Sequence, residues 1–167
     1  GAVVSFGKEI IDLGGRITDL ASVADLKGRS LQTISVLAGD AGVSMEEVAK
    51  ASEKMRSKIQ DAKSNGADPL NKSLEKLGLS AAGLSALTTD EKWQSIAEKL
   101  SHAKDQQEAM NIASDIFGEK IGPKLRAAFE GISSGIDNAS ASMSSLIIPD
   151  ATLRRLDDAG DRLERLG

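Results

Sequence analysis

Apolar side chains recur along this chain every three or four residues, which is the period of one face of an α-helix. Phe6, Ile10, Leu13, Ile17 and Leu20 form the first such stripe, at spacings of four, three, four and three. Gly14 and Gly15 lie within it and should weaken that helix by about 1 kcal/mol each relative to alanine. Leu31, Ile34, Leu37 and Ala38 predict a second, shorter helix, closed by Gly42 at a C′-like position. Ser44-Met-Glu-Glu47 has the composition of a capping box, with the serine hydroxyl accepting from the Glu47 amide and the Glu47 carboxylate reaching back. It opens a third helix, in which Val48, Ala51, Met55, Ile59 and Ala62 share one face. Lys50, Lys54 and Lys58 decorate the others, and Gly66 stops the run.

The rest of the chain is punctuated in the same way. Asp68-Pro69 reads as an N-cap followed by proline in the first turn, ahead of Leu70, Leu74 and Leu77. Ser80 to Leu87 predicts another turn or two. Thr88-Thr-Asp-Glu91 is a second capping box, leading into Trp93, Ile96, Ala97 and Leu100. Asp105-Gln-Gln-Glu108 resembles a third, ahead of Met110, Ala113, Ile116 and Phe117. Pro123 starts the next helix, with Leu125, Ala128, Phe129 and Ile132 inward. Residues 133–145 are rich in Ser, Gly, Asn and Ala and read as a thin continuation of that helix or a flexible linker. Past Pro149, the residues Leu153, Leu156, Ala159, Leu163 and Leu166 predict a last amphipathic helix. Asp158–Arg162 and Asp161–Arg165 are placed on it as i,i+4 pairs.

The expected fold is therefore all-α, built of short amphipathic helices joined by capped Gly/Pro turns. Four regions follow: an N-terminal helix and connector (1–29), a helical domain (30–131), a Ser/Gly/Ala-rich connector (132–149) and a C-terminal amphipathic helix (150–167).

Composition sharpens this in a few places. Aromatic residues make up only 2% of the 167 residues, namely Phe6, Trp93, Phe117 and Phe129, so the core must rest largely on Leu, Ile, Val, Met and Ala. A net charge of −4 argues against a nucleic-acid footprint, which is ordinarily basic. With no cysteine there is no disulfide framework and no thiolate chemistry. No apolar run reaches the roughly 18–20 residues of a membrane span. The opening Gly-Ala-Val-Val-Ser-Phe lacks the basic region of a signal peptide and reads as the edge of a longer apolar segment. The chain is accordingly expected to be a piece of a longer protein.

Candidate chemistry is sparse. Residues 34–59 have the spacing of a helix-turn-helix, with Ala38, Gly42 and Val48 near its packing positions. Its would-be recognition helix begins Met45, Glu46, Glu47, and two carboxylates there repel phosphate. His102 stands alone without metal-ligand spacing and is better placed to favour a helix C-terminus. The pairs Asp90-Glu91, Glu46-Glu47 and Asp157-Asp158 match glycosidase carboxylates only in composition. They fall in first turns or on polar faces, and the chain lacks aromatic sugar platforms. No catalytic residue, cofactor or metal is expected. The residues singled out are apolar ones expected to pack or to dock: Trp93, Ile96, Leu100, Met110, Ile116, Phe117, Leu156 and Leu163.

From Leu31 to about Phe129 the chain resembles the tail length tape-measure proteins of bacteriophages and prophages. The resemblance is carried by an ordered run of segments. Ala41-Gly-Val-Ser-Met-Glu-Glu47 and its basic helix come first, then Leu74-Glu-Lys-Leu-Gly-Leu-Ser-Ala81 with Leu84 and Leu87. Thr88-Thr-Asp-Glu-Lys-Trp93 and Ile96-Ala-Glu-Lys-Leu100 follow, then Ala109-Met110 through Asp115-Ile-Phe-Gly118. Pro123-Lys-Leu125 and the Leu153–Leu166 helix close the run. Two positions depart from it: Gly83 replaces a helix-favouring acid and Trp93 a phenylalanine.

The resemblance implies a non-enzymatic, helical virion protein that fills the tail lumen during assembly. Its expected partners are tail-tube and other tail proteins together with further copies of itself. It implies no small-molecule substrate, no cofactor, no sequence-specific nucleic acid and no membrane contact for this segment. The location implied is the tail lumen, or the host cytoplasm during assembly. Fully helical, the piece would span at most roughly 250 Å at 1.5 Å per residue. Its Gly and Pro stops predict a folded-back helical region instead of a ruler. Two other readings are a helix-turn-helix DNA-binding regulator and a module of a peptidoglycan hydrolase.

Overall fold

The computed structural model describes residues 7–166, and Phe6 of the first stripe lies outside them. Among the described residues the fold is all-α, with ten α-helices and no strand. They are α1 (Lys8–Ala24), α2 (Gly28–Gly39), α3 (Met45–Ser64), α4 (Leu70–Lys76) and α5 (Ala81–Ser85). Then follow α6 (Thr89–Ser101), α7 (Gln106–Phe117), α8 (Arg126–Ile132), α9 (Ile136–Ser142) and α10 (Asp150–Leu166), with a 3₁₀ turn over Gly122–Leu125 before α8.

The helix ends are set by the local signals. Ser44 and Thr88 both complete reciprocal capping boxes with Glu47 and Glu91. Each box satisfies two backbone N–H groups that the helix itself leaves unpaired. Asp105 caps α7 from one side only: its carboxylate accepts from the Glu108 amide, while Glu108 turns toward Lys76. Asp68 accepts the Leu70 amide at 2.9 Å and so starts α4. Gly42 and Gly78 take positive φ of 81° and 74°, the left-handed conformation that closes α2 and the α4 turn.

Helix α3 runs through the middle, touching α1, α2, α4, α5 and α7, and its Val48, Ala51, Met55, Ile59 and Ala62 are all buried. Helices α6 and α8 pack on each other, and α2 bridges α8 and α9. One continuous apolar core results, running from Ala21 to Ala139.

Four expectations are corrected. Residues 133–145 do not continue α8, and most of them form a helix of their own in place of the expected linker. Gly135, at φ 132°, breaks the chain, and α9 then buries Ile136, Ala139 and Ser140 against α2. On α1 the buried face is Gly14, Ile17, Ala21 and Ala24, while Ile10 and Leu13 are 45% and 40% exposed. Packing against α3 and α10 selects the face of α1 that carries Gly14, Ile17 and Ala21 instead. On α10 only Leu153 and Leu156 are buried, and Leu163 and Leu166 face outward. The i,i+4 pairs Asp158–Arg162 and Asp161–Arg165 are not among the ion pairs closed within 4.0 Å. Fully exposed long side chains gain too little from such a contact to hold it.

Candidate interaction surfaces

Five of the eight singled-out residues, Trp93, Ile96, Leu100, Ile116 and Phe117, meet in the core and are no more than 1% exposed. Met110 packs at the edge of the same core. Helix α6 presents Trp93, Ile96 and Leu100 at helical spacing, and α7 presents Ile116 and Phe117 in its last turn. Among them the rings of Trp93 and Phe117 lie 4.6 Å apart, tilted by 37°. Phe129 of α8, not singled out in the sequence, completes the group at 5.3 Å from Phe117 and 6.5 Å from Trp93. All the described aromatic rings thus share one layer, where tilted pairs add about 0.5–1.5 kcal/mol each beyond their buried area.

The indole N–H of Trp93 has a partner as well. It donates to Ser52 Oγ at 2.9 Å, and the Ser52 hydroxyl donates onward to the Ala24 carbonyl at 2.7 Å. Ser52 is fully buried, so this relay satisfies an indole, a hydroxyl and one of the orphan carbonyls ending α1. It ties α6, α3 and α1 together at one point.

Leu156 and Leu163 belong elsewhere. Leu156 seats on α1 at Gly14, where a Cβ would stand only 2.7 Å from its own Cβ. One turn earlier Leu153 seats at Gly28, where a Cβ would stand 2.3 Å from its Cδ1. Two glycines therefore act as notches that let α10 lie close on α1 and the start of α2. Polar contacts flank the notches. Asp150 Oδ1 accepts the Arg29 amide at 3.0 Å, and Asp90 of α6 accepts from the Lys27 amide and the Ser30 hydroxyl. The N-terminus of α2, which has no cap of its own, is thus capped from α6 and α10. The side-chain amide of Gln32 pairs with the Ile148 backbone through two hydrogen bonds, at 2.9 and 2.8 Å, as another peptide would. Leu163, at 50% exposure, lies past this seam.

The remaining chemical candidates resolve into structural roles. Glu46 forms an ion pair with Arg16 of α1, and Glu47 is occupied in its capping box. The backbone hydrogen bond from Ser44 holds the Glu47 carboxyl below its ordinary pKa, and the Thr88 amide does the same for Glu91. The Asp90-Glu91 pair is divided between two helices, with Glu91 capping α6 and Asp90 capping α2. His102 ends α6, its Nδ1 donating to the Glu98 carbonyl at 2.8 Å. Burial pushes the Lys92 ammonium below its ordinary pKa against the pull of Asp25, and Nζ donates to the Leu87 carbonyl at 2.7 Å.

No known protein family, curated protein or solved structure matches the chain. Among the described residues no group of three or more His, Cys, Asp or Glu side chains is placed to hold a metal ion. None of the described helices is long and apolar enough to cross a membrane. Two clefts, of about 680 and 960 Å³, follow α10. One lies along its first turns with Asp25, Asp90, Asp150 and Asp157, and the other along its later turns with Ile11, Arg16, Leu156 and Leu163. Sequence reasoning missed the glycine notches, the Ser52 relay and the tertiary caps. Only Gly14 carries a signal, as a glycine inside a helical stripe, and helix propensity alone makes it a weakness instead of a seat.

Proposed function

We propose that this chain is a helical, non-enzymatic segment of a phage tail tape-measure protein, acting through helix packing during tail assembly. The observation that carries this reading is the ordered run of segments from Leu31 to about Phe129. Its motif residues are also structural residues here: Ser44 and Thr88 are caps, and Leu74, Leu84, Trp93, Ile96, Leu100, Ile116 and Phe117 are buried. A family pattern made of caps and core positions is what a scaffold retains when it has no catalytic constellation to keep. The folded-back arrangement of short helices also supports a local packing unit within the parent protein, not the extended part that measures length.

Two features weigh against the DNA-binding alternative. Helix α3 is engaged by five neighbouring helices, and its first turn is committed to Arg16 and to a capping box. A recognition helix needs that turn free for phosphate and base edges.

Mass spectrometry of purified particles from the source phage or induced prophage tests the proposal. Peptides of this chain should be found in intact tails, should co-purify with the tail-tube protein, and should be depleted after DNA ejection. Their absence from intact tails would overturn the reading. A second check is anisotropy titration against duplex DNA at low salt, where no salt-sensitive submicromolar binding is expected.

A further inference from the structure

From the geometry of the α10 seam we infer that the notched groove of α1 and α2 is a docking site for α10 of a second copy of this chain. Helix α10 is an exchangeable strap. The inference goes beyond the tape-measure reading and does not depend on it.

The first observation is how α10 is held. Its buried side chains are Leu153 and Leu156 alone, and neither belongs to the continuous core, which runs from the end of α1 to α9. The Trp93 layer and the Ser52 relay contain no residue of α10, so their contacts do not depend on it. Elements held by few buried contacts open well before the whole fold does.

The second observation is what the groove fits. Gly14 and Gly28 admit leucines spaced three residues apart, the Arg29 amide in the first turn of α2 takes a carboxylate from the first turn of the incoming helix, and Gln32 clamps the backbone two residues before that turn. Arg29 adds charge to the same recognition, its Nε lying 3.8 Å from Asp150 Oδ2. Ile148, Asp150, Leu153 and Leu156 meet all of these requirements at once. The α10 of another copy meets them identically, which makes exchange of an identical element a low-cost route to association.

The third observation is the hinge. Because Ile148 is part of the clamp, it travels with α10, leaving 143–147 to span the gap. Those residues form no regular helix, and Leu146 among them is 66% exposed. Five residues reach about 17 Å when extended. Beyond the seam, Leu163 and Leu166 continue the stripe outward at 50% and 85% exposure.

Because the chain contains no cysteine, the test can be run with engineered pairs free of background. A Cβ at Gly160 would stand 3.4 Å from Ile11 Cγ2, so cysteines at those two positions face each other across the seam. The single variants Ile11→Cys and Gly160→Cys are mixed at high concentration, incubated and oxidised. Far-ultraviolet circular dichroism first establishes that each is folded. A disulfide-linked heterodimer should form at least tenfold above a control mixture of Ile11→Cys with Ser57→Cys, an exposed site on α3 away from the groove. The double variant Ile11→Cys/Gly160→Cys, oxidised while dilute, should close within one chain and then fail to dimerise when concentrated. Heterodimer no greater than the control would overturn the inference, and so would dimerisation of the locked double variant at the unlocked level.

Discussion

The Trp93 layer and the α10 seam are both helix-on-helix contacts, but they are held by opposite means. The layer is thick: three aromatic rings from α6, α7 and α8 interlock, and the indole N–H is satisfied through Ser52. The seam is thin: two leucines rest on two glycines, and most of its definition comes from carboxylates, an amide clamp and a helix N-terminus. Large interdigitated side chains lose many dispersion contacts when any one is removed, so the layer resists change and fails all at once. Glycine notches bring backbones close while burying little area, so the seam defines a position without committing much stability. A chain with very few aromatic residues has placed the described ones in one layer, away from the seam.

The largest effects should therefore come from the layer. Trp93→Ala or Phe117→Ala should cost about 3–5 kcal/mol, a large part of the stability of an ordinary domain, and would appear as a sharply lowered urea midpoint. If Trp93→Ala left the midpoint unchanged, the comparison would fail at its stronger end. Ser52→Ala tests the relay without removing a ring. It leaves the indole N–H and the Ala24 carbonyl buried and unpaired, and should cost about 1–3 kcal/mol in the same melt.

Much of the fold is legible in the sequence, and the legible part is the local part. Capping boxes at Ser44 and Thr88, the glycine stops and the buried face of α3 depend on residues within a turn or two of each other. Trp93 and Phe117 are recognisable as anchors because each sits on an apolar stripe. What the sequence conceals depends on distant pairs. Gln32 and Ile148 lie 116 positions apart, and Arg29 and Asp150 lie 121 apart, so no spacing rule joins them. The apolar stripe of α1 misleads for the same reason. Its buried face is decided by the arrival of Leu156 at Gly14 and by packing on α3, and Ile10 and Leu13 are left outside. Residues 133–145 have the composition of a linker because Ser and Ala bury little area. Yet Ser140 bonds Thr33 at 2.8 Å inside the fold.

Smaller effects should come from the caps. Ser44→Ala and Thr88→Ala should each cost about 1 kcal/mol by urea melt, since each leaves helix N–H groups without an acceptor. The same boxes set a pH dependence. Glu47 and Glu91 carry folded pKa values below their ordinary 4.5 because backbone amides bond their charged forms. Their stabilising contribution is present above about pH 4.5 and is lost as pH falls through the lower folded values. Unfolding free energy followed below pH 4.5 should decline less steeply in the Glu47→Gln variant, which has no carboxylate there to titrate. An unchanged slope would remove Glu47 from that account.

The smallest effect on global stability should come from the seam. Gly14→Leu drives a side chain into Leu156 and should release α10, while moving the global urea midpoint by no more than about 1 kcal/mol equivalent. A loss as large as that of Trp93→Ala would show that the seam belongs to the core.

The most direct measurement is native-state hydrogen exchange of the unaltered chain, read helix by helix in low denaturant. Amides in α3 and α6 should exchange only through global unfolding, with a free energy that falls steeply as denaturant is added. Amides of α10 between Leu153 and Leu163 should exchange at least a hundredfold faster, with almost no denaturant dependence, because a local opening exposes little surface. Equal protection and equal denaturant dependence for α10 and α3 would contradict the division of this molecule into a committed core and a lightly held strap.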